Sequence, residues 1–130
     1  MLQTFLILTL LQVKAWNFNT LLDSAYVVGE MNAYLGLISA DTTNPKSIMN
    51  LHGEYGDDHS SHSIFGEGSY AGLHGAFSPF NRECEVPPKI YMDSVFVAYL
   101  TENERLSPRI SPSSLLGWLY ERAGIKGKVK

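Results

Sequence analysis

The stretch "VPPKIYMDSVFVAYLTENERL", residues 86–106, decides the fold class. Read as a helix, Pro88 suits the first turn and Asp93 complements the dipole. Ile90 or Tyr91, Val95, Ala98 or Tyr99 and Glu102 then follow the helical repeat. Its β-branched and aromatic centre, "SVFVAYL" (94–100), also suits a buried strand. The helical spacing is the preferred reading.

Upstream, "WNFNTLLDSAYVVGEMNAYLGLIS" (16–39) reads the same way. Asn19 or Thr20 caps a helix and Asp23 sits in its first turn. Leu21, Ala25, Val28, Met31, Leu35 and Ile38 form one apolar face, with Gly36 as a stop. "SADTTNPKS" (39–47) is a turn-rich linker. Downstream, "SPRISP" breaks the pattern. "SPSSLLGWLYERAG" (111–124) follows as a helix with Ser111 as cap, Pro112 in the first turn and Gly124 as stop. Leu115, Leu116, Leu119, Tyr120 and Ala123 are its apolar face. Residues 50–81 show no sustained periodicity and carry six glycines, at 53, 56, 66, 68, 72 and 75. Tyr55, Phe65, Tyr70, Phe77 and Phe80 give that loop apolar area to anchor it. No internal repeat is evident. The expected fold is a mainly α single domain of about three core helices with a long glycine-rich loop.

The 130-residue chain is 45% hydrophobic and 18% charged, with a net charge of −3. That is globular composition. It excludes a general nucleic-acid binder. Arg122, Lys126, Lys128 and Lys130 read as a solvated basic tail. The apolar run Leu2–Val13 is too short to span a bilayer and suits a signal peptide cleaved after Ala15. The expected product is residues 16–130, secreted and without a stable membrane span. Cys84 is the one cysteine, so no intrachain disulfide forms.

The chemistry-bearing residues gather in "LHGEYGDDHSSHSIFGEG", residues 51–68. His59 and His62 lie three apart, with Asp57 and Asp58 before them. The HExxH zinc pattern is absent. Carboxylates and a hydroxyl in "DDHS" suit a hard cation such as Mg²⁺. The competing reading is a polar loop whose Asp and Ser cap turns. "FGEGSYAGLHG" (65–75) is neither a GxGxxG fingerprint nor a P-loop. "GSYAG" lacks the nucleophile-elbow serine position, and His74 is no evident base.

"HGEYGDDHS" (52–60) resembles a segment of the fungal heme-thiolate peroxidases, the chloroperoxidases and unspecific peroxygenases. "TENERL" (101–106), "LGW" (116–118) and the helical reading of 18–39 follow that family's order. The resemblance implies a largely helical fold, a heme held by a cysteine thiolate and a distal glutamate that moves protons on the peroxide. It also implies a Mg or Mn ion at Asp57, Asp58 and Ser60, with His52 and Tyr55 beside it. No Cys-Pro ligand segment occurs, and Gly56 stands where the family has an acidic residue. The implied function is peroxide-driven oxidation or halogenation of small organic substrates by a truncated or degenerate relative. The alternatives are a small secreted helical interaction protein without catalysis, and a metal-dependent hydrolase built on the 52–62 His/Asp loop.

Overall fold

The computed structural model describes residues 17–66 and 76–125. The segment expected to be a signal peptide, His74, Gly68, Gly72, Gly75, Lys126, Lys128 and Lys130 lie outside them. The decisive stretch is a hairpin of strands, not a helix. In chain order the elements are α1 (Phe18–Leu21), β1 (Ala25–Val28), β2 (Tyr34–Leu37), β3 (Lys89–Met92), β4 (Val95–Leu100), β5 (Arg109–Ile110) and α2 (Pro112–Ala123). The five strands form one sheet in the order β2-β1-β3-β4-β5. All pairs are antiparallel except β4 with β5. The mainly α expectation is therefore wrong, and with it the largely helical fold implied by the peroxidase resemblance. Only α2 holds as read, with Ser111 Oγ accepting the Ser114 N–H and Gly124 in the left-handed region.

Two features of the chain defeat the helical readings. Along β1, Ala25 and Val27 are buried while Tyr26 and Val28 are half-buried, the period of two that a strand imposes. Each hairpin also turns through two consecutive left-handed residues, Met31-Asn32 and Asp93-Ser94. A type I′ two-residue hairpin turn requires that geometry, and no right-handed helix can pass through it. Asp93 is thus a turn residue, not a helix-dipole partner.

The two halves of the sheet are copies, 62 residues apart. The left-handed pair 31–32 becomes 93–94. Leu37 pairs in parallel with Ser47, as Tyr99 does with Arg109. Asp41 N–H donates to Ser39 Oγ (3.0 Å) and Asn103 N–H to Thr101 Oγ1 (2.9 Å). Thr43 N–H then reaches Asp41 Oδ1 (2.8 Å) and Arg105 N–H reaches Asn103 Oδ1 (3.0 Å). Ile38, Ser39 and Ile48 are buried, as are Leu100, Thr101 and Ile110. Each half is a hairpin, a polar loop and a short return segment, and β1 meets β3 at the centre.

The glycine-rich loop has a period of its own, three residues. At each step the backbone carbonyl of the first residue accepts the N–H three residues on. This runs from Asn44 to Ser47, Asn50 and Gly53, and again from Asp57 to Ser60, Ser63 and Gly66. The first residue's side-chain oxygen accepts the N–H two residues on. Ser47 takes Met49, Asn50 takes His52, Asp57 takes His59, Ser60 takes His62 and Ser63 takes Phe65. The pattern reappears at Ser78 and Asn81. Ser, Asn and Asp satisfy the backbone locally this way, so the segment needs neither helix nor sheet. One extra residue enters where the Gly53 carbonyl accepts both Gly56 and Asp57.

This ribbon dips into the core at Ile48-Met49 and Ile64-Phe65. There it joins Ala25, Val27, Ile90, Ala98 and Leu100 of the sheet and Leu115, Leu116 and Leu119 of α2. Each fully buried Ile or Leu contributes about 1.5–3 kcal/mol. Arg122 is not part of a solvated tail. Its guanidinium lies 4.1 Å over the Trp118 ring and donates to Asn19 Oδ1 (2.9 Å), fastening α1 to α2. Among the described residues no helix is long and apolar enough to cross a membrane.

Candidate functional site: an aromatic face of the sheet

One face of the sheet packs on α2 and the ribbon. The other carries aromatic rings. Directly opposed residues on neighbouring strands share a face, so the register defines two rungs. The first runs Leu37, Tyr26, Tyr91, Phe96 across β2, β1, β3 and β4. The second runs Tyr34, Val28, Lys89, Tyr99, Arg109 across all five strands.

The rings touch in sequence. Tyr55, from the ribbon, meets Tyr34 edge-on at 5.1 Å, and Tyr34 stacks with Tyr26 at 5.8 Å. Tyr26 stacks with Tyr91 at 6.2 Å, 18° from parallel. Tyr91 meets Phe96 at 6.1 Å, and Phe96 meets Tyr99 at 5.1 Å. Such contacts contribute about 0.5–1.5 kcal/mol each beyond area burial and hold the rings in place. Phe96 is 37% exposed and the tyrosines are half-buried. Burial raises the Tyr34 phenol above its ordinary value, helped by neighbouring Tyr55 and Tyr26. Burial raises Tyr55 as well, with the Glu54 charge adding to it.

The residues proposed from sequence are placed differently. His52, His59 and His62 are each the third residue of a triplet, exposed, with their backbone N–H groups closing turns. Their spacing follows the ribbon's period and not a ligand geometry. His62 Nδ1 meets Glu54 Oε2 at 2.6 Å, a solvent-exposed pair. Asp57 Oδ1 and Ser60 Oγ are turn acceptors. Asp58 lies close enough to Tyr120 for its charge to act on that phenol. Among the described residues no group of three or more His, Cys, Asp or Glu could hold a metal ion. Two of the three residues expected to hold a Mg or Mn ion, Asp57 and Ser60, thus use a side-chain oxygen on the backbone of their own loop.

A thiolate-held heme does not fit either. Cys84 is 4% exposed and burial pushes its thiol up, with Glu30 and Glu85 adding to the rise. A cysteine that holds heme iron does so as its thiolate. "TENERL" forms the polar loop after β4, not a helix end. No family model, no curated protein and no solved structure matches this chain. Of the sequence candidates, Tyr55 alone reaches the aromatic face. The others, Tyr26, Tyr34, Tyr91, Phe96, Tyr99 and Lys89, were legible only once strands replaced helices.

Proposed function

We propose that the protein is a non-catalytic binding module whose aromatic sheet face docks an extended carbohydrate polymer. The observation that carries this reading is the unbroken row of six touching rings from Tyr55 to Tyr99. Its tyrosines are rigid, amphipathic and inexpensive to order, the qualities found in binding surfaces. Sugar rings present flat C–H faces to aromatic rings and hydroxyls to phenols, and five of the six rings are phenols. A peptide adding as a strand needs a free sheet edge. Here the edges are short: β2 is four residues with a bridge to Ser47, and β5 is two residues. A polynucleotide needs many cations, and the chain is net acidic.

The test is retention of the full chain on a panel of insoluble and soluble polysaccharides, with Tyr26→Ala and Tyr91→Ala compared. Binding to at least one polymer, weakened about tenfold or more in each variant, is the expected result. Failure of the folded wild-type protein to bind any polymer overturns the reading. So does concentration-dependent dimerisation through these residues, because a second copy would then cover the face.

A further inference from the structure

Lys89 interrupts the aromatic face near its centre. Its register neighbours are Val28 on β1 and Tyr99 on β4. Tyr91, two residues on along β3, shares its face. Every other position named on the two rungs is uncharged except Arg109, at the far edge. That guanidinium is engaged: Nη1 donates to the Thr101 carbonyl at 3.2 Å and lies 4.0 Å from Glu102 Oε1. The Lys89 side chain makes no hydrogen bond or ion pair with any described residue. The residue is half-buried on this face.

A lone cation in a neutral aromatic surface selects a ligand that carries both a ring and a negative charge. We infer that the polymer docked on this face is an acidic glycan, with a uronate carboxylate paired to Lys89 and its pyranose rings against Tyr91, Tyr99 and Tyr26. This rests on the carbohydrate-docking reading above and specifies its ligand class. The charge arithmetic favours a carboxylate carried on a sugar over a dense polyanion. One unpaired lysine on a chain of net charge −3 neutralises one charge per docked stretch and cannot track a phosphate backbone. The pair is a charge-assisted hydrogen bond, weakened by added salt.

The experiment compares two forms of one polymer, polygalacturonate and its methyl ester, by isothermal titration and affinity electrophoresis. The wild-type protein should prefer the acid form by about tenfold, and Lys89→Gln should erase that preference while retaining affinity for the ester. Lys89→Arg should restore the preference, which separates loss of charge from loss of fold. Equal wild-type affinity for both forms overturns the inference, as does a preference that survives in Lys89→Gln, since that would assign it to cations elsewhere. Binding of a neutral polysaccharide alone overturns the acidic assignment but leaves the docking face standing. Binding to no polysaccharide removes both.

Discussion

Asn103 Nδ2 donates to the Cys84 carbonyl oxygen across 2.8 Å, joining the end of the triplet ribbon to the loop that follows β4. The amide is 2% exposed, and its Oδ1 also accepts the Arg105 N–H. Both ends of one side chain therefore satisfy buried or half-buried backbone. Asn103→Ala strands the Cys84 carbonyl and should cost about 1–3 kcal/mol. Asn103→Asp should be worse, since a carboxylate oxygen replaces the donor and faces the carbonyl. Urea unfolding of the two variants checks the order. An aspartate variant as stable as wild type would show that the contact carries no weight.

Two glycines are fixed by the ribbon and one is not. A β-carbon at Gly56 would overlap the Asn50 carbonyl, and one at Gly66 would overlap the Ser60 carbonyl. Both clashes are with backbone six residues upstream, two triplets back. Gly56→Ala and Gly66→Ala should each destabilise by about 1–3 kcal/mol, the range for overpacking. Gly117, in the middle of α2, has nothing within 4 Å of its added carbon. Gly117→Ala should stabilise by about 0.5–1 kcal/mol through helix propensity. Thermal melts of the three variants separate the cases. A gain at Gly66 or a loss at Gly117 contradicts this account.

The sequence shows α2 because its cap, its Pro112 and its Gly124 stop are local signals. It hides the sheet because Ala25, Leu35, Ile38 and Ala98 satisfy three- and four-residue spacing by accident. The informative signals were shorter. "MDSV" places two turn-forming residues between apolar segments, and the left-handed pair Asp93-Ser94 closes a hairpin there. The period was also legible as Ser, Asn, Asp or Gly at every third position from Asp57 to Asn81, a period that neither helix nor strand templates test. The duplication is harder to see. Ile38-Ser39 and Leu100-Thr101 share only polarity and shape, and their matching bonds need only a short side-chain hydroxyl, which either Ser or Thr supplies. The aromatic face could not be read at all until the strand register was known, because its rungs draw on residues up to 75 positions apart (34 to 109).

Glu102 caps α2 from outside it. Its carboxylate accepts the Ser111 hydroxyl at 2.9 and 3.0 Å and the Ser113 N–H at 3.1 Å. Burial alone would raise its pKa. The hydrogen bonds from Ser113 and Ser111 and the nearby Arg109 charge outweigh burial and hold it below the ordinary 4.5. A carboxyl depressed in the folded state contributes stability above its unfolded value and loses it as pH falls through the folded one. Glu102→Ala should therefore cost about 0.5–2 kcal/mol at neutral pH, as loss of a helix cap does. Its gap to wild type should narrow as the pH drops below 4.5. Denaturant titrations at neutral and acid pH check this, and a gap independent of pH would remove charge from the explanation.

Tyr120 gives the opposite dependence at the alkaline end. Its side chain is 2% exposed in the core of α2. Burial, with the Asp58 charge adding to it, pushes the phenol up from 10 to about 12. The folded state thus favours the protonated phenol. A group raised in this way contributes its full stability below the unfolded value and loses it as pH rises through the folded one. Stability should fall between pH 10 and 12 as the unfolded chain's phenol ionises first. Tyr120→Phe has no proton to lose, so its stability should fall less steeply over that window while changing little at pH 8. Tyr34 and Tyr55 are raised too and stay in the variant, so a residual slope should persist. Superimposable stability curves for wild type and Tyr120→Phe between pH 8 and 12 would show that the buried phenol is not the group whose ionisation loosens the core.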